Sequence, residues 1–269
     1  MANPRTGADR DDLGDFTCAP FAAEGMTHDV YRTGDGPAVV LLPEIPGLIP
    51  EVAGLARRLR AAGFSVAVPS LFGDPGRRLS PGYAAGSVGR LCVSREFAAF
   101  AVRADRPVVS YVRALARDAH ERCGGPGVGV IGLCFTGGFA LAAATDPAVL
   151  APVGSQPSVP MAITPSRRRD LCMSDVEADL VAERTEREGL CLLGLRFTAD
   201  ALAPAARFDA LTERFGGAFR RIEIPSGPGT GVRRTAHSVL GVDYVDEPGH
   251  PTRAAYDEVV DFLRERLVT

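Results

Sequence analysis

In Val130-Ile-Gly-Leu-Cys134-Phe-Thr-Gly-Gly138 an apolar run ends on a reactive side chain among glycines, and a helical pattern begins at once. This is the arrangement of a nucleophile elbow. A sharp strand-to-helix turn strains the nucleophile's backbone and lifts its side chain above the sheet edge. The neighbours must be small because strand and helix approach closely there, and Gly132 meets that need. Two residues after the cysteine stands Thr136, with Gly137 and Gly138 next, a departure from the strict G-x-S-x-G spacing. Cysteine suits the position chemically. Its thiolate is the attacking species, and a helix N-terminus lowers a thiol pKa through its dipole and free N–H groups. The same N–H groups can hold a developing oxyanion. The plainer alternative is a small buried core cysteine.

Outward from the elbow, short apolar runs alternate with helical patterns. Upstream, PAVVLLP (37–43) reads as a buried strand and PEVAGLARRLRAAG (50–63) as a helix opened by Pro and closed by Gly. Residues 64–68 form a second predicted strand. Residues 70–106 are rich in Gly, Pro and Ser and are expected to be an irregular surface excursion near a site. A helix over 107–122 leads to a third strand over 127–133. The elbow then feeds a short buried helix over 135–144 and a strand over 148–153. Downstream, Ser174-Asp-Val-Glu177 is a capping box for a helix over 174–189. Strands over 189–197 and 218–224 flank a helix over 204–215. A long loop (225–250) and an amphipathic helix (251–267) close the chain. This alternation predicts an α/β fold with a mostly parallel central sheet and helices on both faces. Residues 1–22 are polar and acidic and are expected to be a loose N-terminal arm, with 23–269 a single domain.

Of 269 residues, 46 % are hydrophobic and the net charge is −3, which leaves no clustered basic excess for nucleic acid. All basic residues are Arg; Lys is absent. No stretch is apolar enough to span a membrane, and the N-terminal residues lack the apolar core of a secretory signal. The six cysteines are scattered with no CxxC pair, which argues against a zinc site or a disulfide framework and for a cytoplasmic protein. GVGVIG (127–132) matches GxGxxG by letter, but its glycines lie inside a strand rather than after one, so it is not a dinucleotide loop. Arg167-Arg-Arg169 reads as a solvated loop.

A triad on this scaffold needs an acid and then a histidine after the nucleophile. Asp200, in Phe197-Thr-Ala-Asp200-Ala, follows a predicted strand; it could also cap the next helix. His237, in Arg234-Thr-Ala-His237-Ser-Val, lies in the loop after the last strand, where a solvated loop histidine is the alternative. Of the four histidines, His28 and His120 precede Cys134. His250 directly precedes Pro251 at a helix entry and reads as a helix-start residue. His237, among small neighbours, reads as the base.

These stretches resemble the dienelactone hydrolase family of α/β-hydrolases. The likeness rests on Gly132-Leu-Cys134-Phe-Thr-Gly-Gly138, on 200–204, on Ala236-His237-Ser238 and on Leu42-Pro43-Glu44-Ile45-Pro46-Gly47, and it runs from about residue 25 to the C-terminus. The resemblance implies an α/β-hydrolase fold and a triad of Cys134, Asp200 and His237. It implies an oxyanion hole of the Ile45 and Phe135 N–H groups, with Glu44 touching the resting thiol and helping turn it to thiolate. The expected activity is hydrolysis of a small-molecule ester or lactone through a thioester acyl-enzyme, with no metal or organic cofactor. Acyl transfer on the same triad is an alternative, as is a non-catalytic relic that binds a ligand or senses oxidants through Cys134. Arg233 and Arg234, just before His237, are candidate grips on a substrate carboxylate, or solvated loop arginines.

Overall fold

The computed structural model describes residues 10–93, 97, 106–160 and 162–268, leaving aside the side chains of 88–93. The AVVLL run forms strand β3 (Ala38–Leu42), and all five residues are buried. A strand buried on both faces needs a helical layer on each side. Val40 and Leu42 belong to a core shared with Val108, Val112 and Leu115, whereas Val39 and Leu41 belong to one shared with Leu55, Leu59, Val259 and Leu263. The remaining strands are β1 (Thr17–Ala23), β2 (Met26–Thr33), β4 (Ser65–Pro69), β5 (Val128–Leu133), β6 (Val149–Ser155), β7 (Leu192–Phe197) and β8 (Phe219–Ile224). They form one sheet in the order β1-β2-β4-β3-β5-β6-β7-β8. From β4 to β8 the pairing is parallel; β1 with β2 and β2 with β4 are antiparallel.

Helices α1 (Pro50–Ala61) and α8 (Pro251–Leu267) cover one face, and α3 (Pro107–Cys123), α4 (Gly137–Ala143), α6 (Asp175–Arg187) and α7 (Ala205–Phe215) cover the other. Their local codes act as expected. Pro opens α1, α3 and α8, and Ser174 and Glu177 form the reciprocal capping box of α6. Two shorter stretches, α2 (Pro81–Val93) and α5 (Pro165–Arg168), lie in the connections. Among the described residues no helix is long and apolar enough to cross a membrane.

Two expectations are corrected. Residues 17–22 are not a loose arm: they lie in β1, which pairs with β2 as an edge hairpin. Its exposure and its Pro20 fit an edge strand, which has one unpaired side and tolerates proline. The acidic residues before it are anchored, because Arg57 binds Asp11 at 2.7 Å and Asp15 at 2.6 Å while Leu13 and Phe16 are buried. Residues 1–9 of the expected arm lie outside the described residues. Within 70–106, expected to be irregular, residues 81–93 form α2, a helix masked in the sequence by its glycines.

Candidate active site

The parallel strands end together on one edge of the sheet. Leu42 of β3 pairs with Gly132 of β5, Leu133 with Ser155 of β6, Ser155 with Leu195 of β7, and Phe197 with Ile224 of β8. The segments that follow these strands therefore converge. They carry Glu44 and Ile45 after β3, Cys134 and Phe135 after β5, Ser158 after β6, Asp200 after β7 and His237 after β8.

Cys134 sits at φ +56, the left-handed region that costs an L-residue about 1–2 kcal/mol. That is the strain an elbow requires. Gly132 is obligatory here, because a Cβ would lie 2.1 Å from the Thr136 carbonyl oxygen. The Thr136 hydroxyl explains the departure at plus two. It is fully buried, accepts from the Leu133 N–H at 2.9 Å, and has the Leu42 carbonyl at 3.0 Å as an acceptor. A glycine there would leave those groups bare. The side chain thus ties the elbow to the end of β3, the segment that carries Ile45.

Asp200 and His237 meet across the strand ends. His237 Nδ1 donates to Asp200 Oδ2 at 2.7 Å. The other Asp200 oxygen takes the Leu202 N–H at 2.9 Å, and the N-cap of α7 is Pro204, so Asp200 does not cap that helix. Asp243 fixes the histidine's backbone by accepting from the N–H groups of His237 (2.8 Å) and Ser238 (3.0 Å). Burial works against a charged His237 imidazole, but the adjacent Cys134 sulfur and Asp200 carboxylate outweigh it, and the pKa is pushed up to about 11. Nε2 is buried and has no hydrogen bond of ordinary geometry, while the sulfur acts on it through its charge.

Glu44 makes contacts other than the one the resemblance implied. Glu44 does not touch the thiol. Its buried carboxylate accepts from Ser238 Oγ at 2.5 Å, with Gln156 Nε2 at 3.5 Å, so it supports the histidine loop. The thiol's partner is instead Ser158 Oγ at 3.1 Å. Arg233 pairs with Asp243, the carboxylate that holds the His237 backbone, at 2.6 Å, and is otherwise exposed, as is Arg234. Ser158, Gln156 and Asp243 carried no signal in the sequence, since each acts only through partners brought near by the sheet. His250 is the N-cap of α8, accepting from the Thr252 N–H at 3.3 Å, as its place before Pro251 implied.

Burial raises the Glu44 pKa above 4.5, although the Ser238 hydrogen bond and nearby His237 pull it back. An acid with a raised folded-state value contributes stability that is complete below the unfolded value and lost as pH rises through the folded one. Glu44→Gln should therefore match the wild-type melting temperature near pH 4 and exceed it by a few degrees near pH 8, a gain of about 1 kcal/mol. Melting curves across that range test this; a gap that stays constant with pH would show that the carboxyl carries no such burden.

The model of the dienelactone hydrolase family matches residues 27–190 of this chain, a span that holds the elbow and stops short of Asp200 and His237. Solved structures give the same fold at low identity. A provisionally assigned dienelactone hydrolase from Klebsiella pneumoniae superposes with a TM-score of 0.62 at 16 % identity, covering 93 % of this chain and 99 % of that one. A dienelactone hydrolase-like promiscuous phosphotriesterase from metagenomic libraries gives 0.60 at 16 %, covering 94 % and 100 %. A dienelactone hydrolase from Anabaena variabilis gives 0.56 at 16 %, covering 94 % and 98 %. No curated protein matches the chain.

Proposed function

The chain belongs to the dienelactone hydrolase family, and we propose that its ester- or lactone-type hydrolysis runs through Cys134 as nucleophile, with His237 and Asp200 completing a triad. The observation that carries this reading is the Asp200–His237 hydrogen bond at 2.7 Å, which orients an imidazole adjacent to the cysteine of a strained elbow. An imidazole held in this way is placed to take the thiol proton, and the thiolate is the reactive form.

In this mechanism the Cys134 thiolate attacks the acyl carbon, and the carbonyl oxygen becomes an oxyanion. The Ile45 and Phe135 N–H groups receive that charge. As the tetrahedral intermediate collapses, the C–O bond breaks and the departing alkoxide takes the proton from His237 Nε2. In a lactone the alcohol so formed remains tethered to the acyl group. The thioester then faces a neutral His237, which draws a proton from water as the water attacks. The C–S bond breaks, the acid departs, and the imidazolium–thiolate pair is restored. Asp200 keeps the ring oriented, with its Nδ1 proton inward, throughout.

A chromogenic short-chain ester at high enzyme concentration provides the test. The first turnover should release chromophore in a burst equivalent to the enzyme present, and acid-quenched samples should carry the acyl mass on the Cys134 peptide. Turnover with no acyl mass at Cys134 would sink the thioester mechanism.

A further inference from the structure

Ser158 contacts the nucleophile through both its backbone and its side chain. It follows β6, whose last residue Ser155 pairs with Leu133 just before the elbow. Its backbone N–H donates to the Cys134 carbonyl at 3.0 Å, and its hydroxyl lies 3.1 Å from Cys134 Sγ. Ser158 is buried, and the sulfur is the hydroxyl's one hydrogen-bond partner among the described residues. A buried hydroxyl deprived of water needs an acceptor. A neutral thiol is a weak acceptor, whereas a thiolate accepts a charge-assisted hydrogen bond. The contact is therefore worth more when the sulfur is ionised.

We propose that Ser158 is a positioning residue for the nucleophile: its hydroxyl donates to the Cys134 sulfur, fixes the sulfur's orientation and stabilises its thiolate. The proposal rests on Cys134 being the nucleophile. The segment is built for this placement. Gln156, at φ +42, is fully buried; its N–H binds the Leu195 carbonyl at 2.7 Å and its side-chain oxygen takes the Val239 N–H at 3.3 Å. Arg207 holds the Pro157 carbonyl at 2.9 Å. The residues on the N-terminal side of Ser158 are thus fixed from β7, α7 and the histidine loop together.

Other charged or titratable groups surround the sulfur from several elements. His237, paired with Asp200, acts on the sulfur electrostatically, and Glu44 is bonded to Ser238 of the histidine loop. Cys172, packed against α4 at Gly138, stands within electrostatic range of Cys134, with Asp170, Arg106 and Arg207 around it. Ser158 differs from all of these in being an uncharged donor in direct contact, so its removal should move the thiol's titration without removing a charge.

The experiment measures the rate of Cys134 alkylation by iodoacetamide from pH 4 to 10, resolved by peptide mass, in wild type, Ser158→Ala and Ser158→Thr. The midpoint of each profile is the apparent thiol pKa. Loss of the hydroxyl should raise that midpoint by about 1, which is about tenfold less thiolate below it, and Ser158→Thr should restore the wild-type value. Thermal midpoints recorded alongside confirm that folded protein is being labelled. A Ser158→Ala midpoint equal to or below the wild-type one overturns the proposal, as does a Ser158→Thr profile that follows Ala. The readout needs no turnover: a Cys134→Ala enzyme that still hydrolyses esters would remove the nucleophile assignment yet leave the measured midpoints standing.

Discussion

On the proposed triad, His237→Gln is expected to lower kcat for a chromogenic ester by about 10³- to 10⁴-fold, whereas His250→Gln is expected to keep near-normal turnover. Both histidines lie in the connection between β8 and α8, so chain order does not separate them. Their contacts do. His237 Nδ1 is held by Asp200 at 2.7 Å, and its backbone is fixed by Asp243. Glutamine can keep some of the volume there, but it can neither carry the proton needed by the leaving alkoxide nor accept one from water. His250 accepts from the Thr252 N–H and contacts the Thr252 hydroxyl at 2.8 Å, which is the work of a helix cap. Its loss should cost about 1 kcal/mol, or about 2–4 °C in Tm. Because triad members act as a unit, Cys134→Ala combined with His237→Gln should be little worse than either alone. The measurement is kcat with thermal midpoints for all four proteins. An inactive His250→Gln beside an active His237→Gln would reverse the assignment.

Arg207→Met should be strongly destabilising, by roughly 3–5 kcal/mol, a fall of about 10 °C in Tm. Arg207 is fully buried, and its guanidinium donates to four carbonyls. These are Asp170 at 2.7 Å, Arg167 at 2.8 Å, Pro157 at 2.9 Å and Leu202 at 3.2 Å. Methionine fills similar space but removes the donor from all four carbonyls, of which those of Asp170 and Pro157 are bonded in the buried interior. Lysine keeps the charge yet lacks the planar fork that reaches four separate oxygens, so Arg207→Lys should fall between the two. The same change should reach catalysis, since Pro157 precedes Ser158 and Leu202 follows Asp200. Thermal unfolding of both variants, with kcat below their midpoints, checks the claim. A Met variant within about 1 kcal/mol of wild type would show that the carbonyls find other donors.

The sequence made the periodic and local features legible. The elbow, the order Cys134–Asp200–His237, the capping box at Ser174 and the helix-start character of His250 all depend on neighbours within a few residues. The fold followed from the alternation of buried strands with amphipathic helices. What stayed hidden depends on distant partners. The β1–β2 hairpin lacks an apolar pattern because it forms the sheet edge. Helix α2 lies in a Gly-rich run that propensity disfavours. Arg207 looked like any helical arginine, and nothing local marks Ser158 or Asp243, whose partners lie 24 and 6 residues away in the chain. The role first given to Glu44 was borrowed through resemblance. Here its carboxylate is occupied by Ser238, while a hydroxyl from another strand end stands at the sulfur.

The placement of β3 in the middle of the sheet has a consequence for biosynthesis. β3 lies between β4, which follows it closely in the chain, and β5, which carries the elbow. A nascent chain can set β4 and α1 against β3 early, but the far edge of β3 then stays bare until β5 emerges. That edge is the wholly buried AVVLL run, an open apolar template in the half-made protein. Asp200 and His237 are synthesised later still. The proposed reacting groups are thus absent as a set while a wholly apolar strand stands exposed, and safe passage through that interval falls to whatever shields the growing chain.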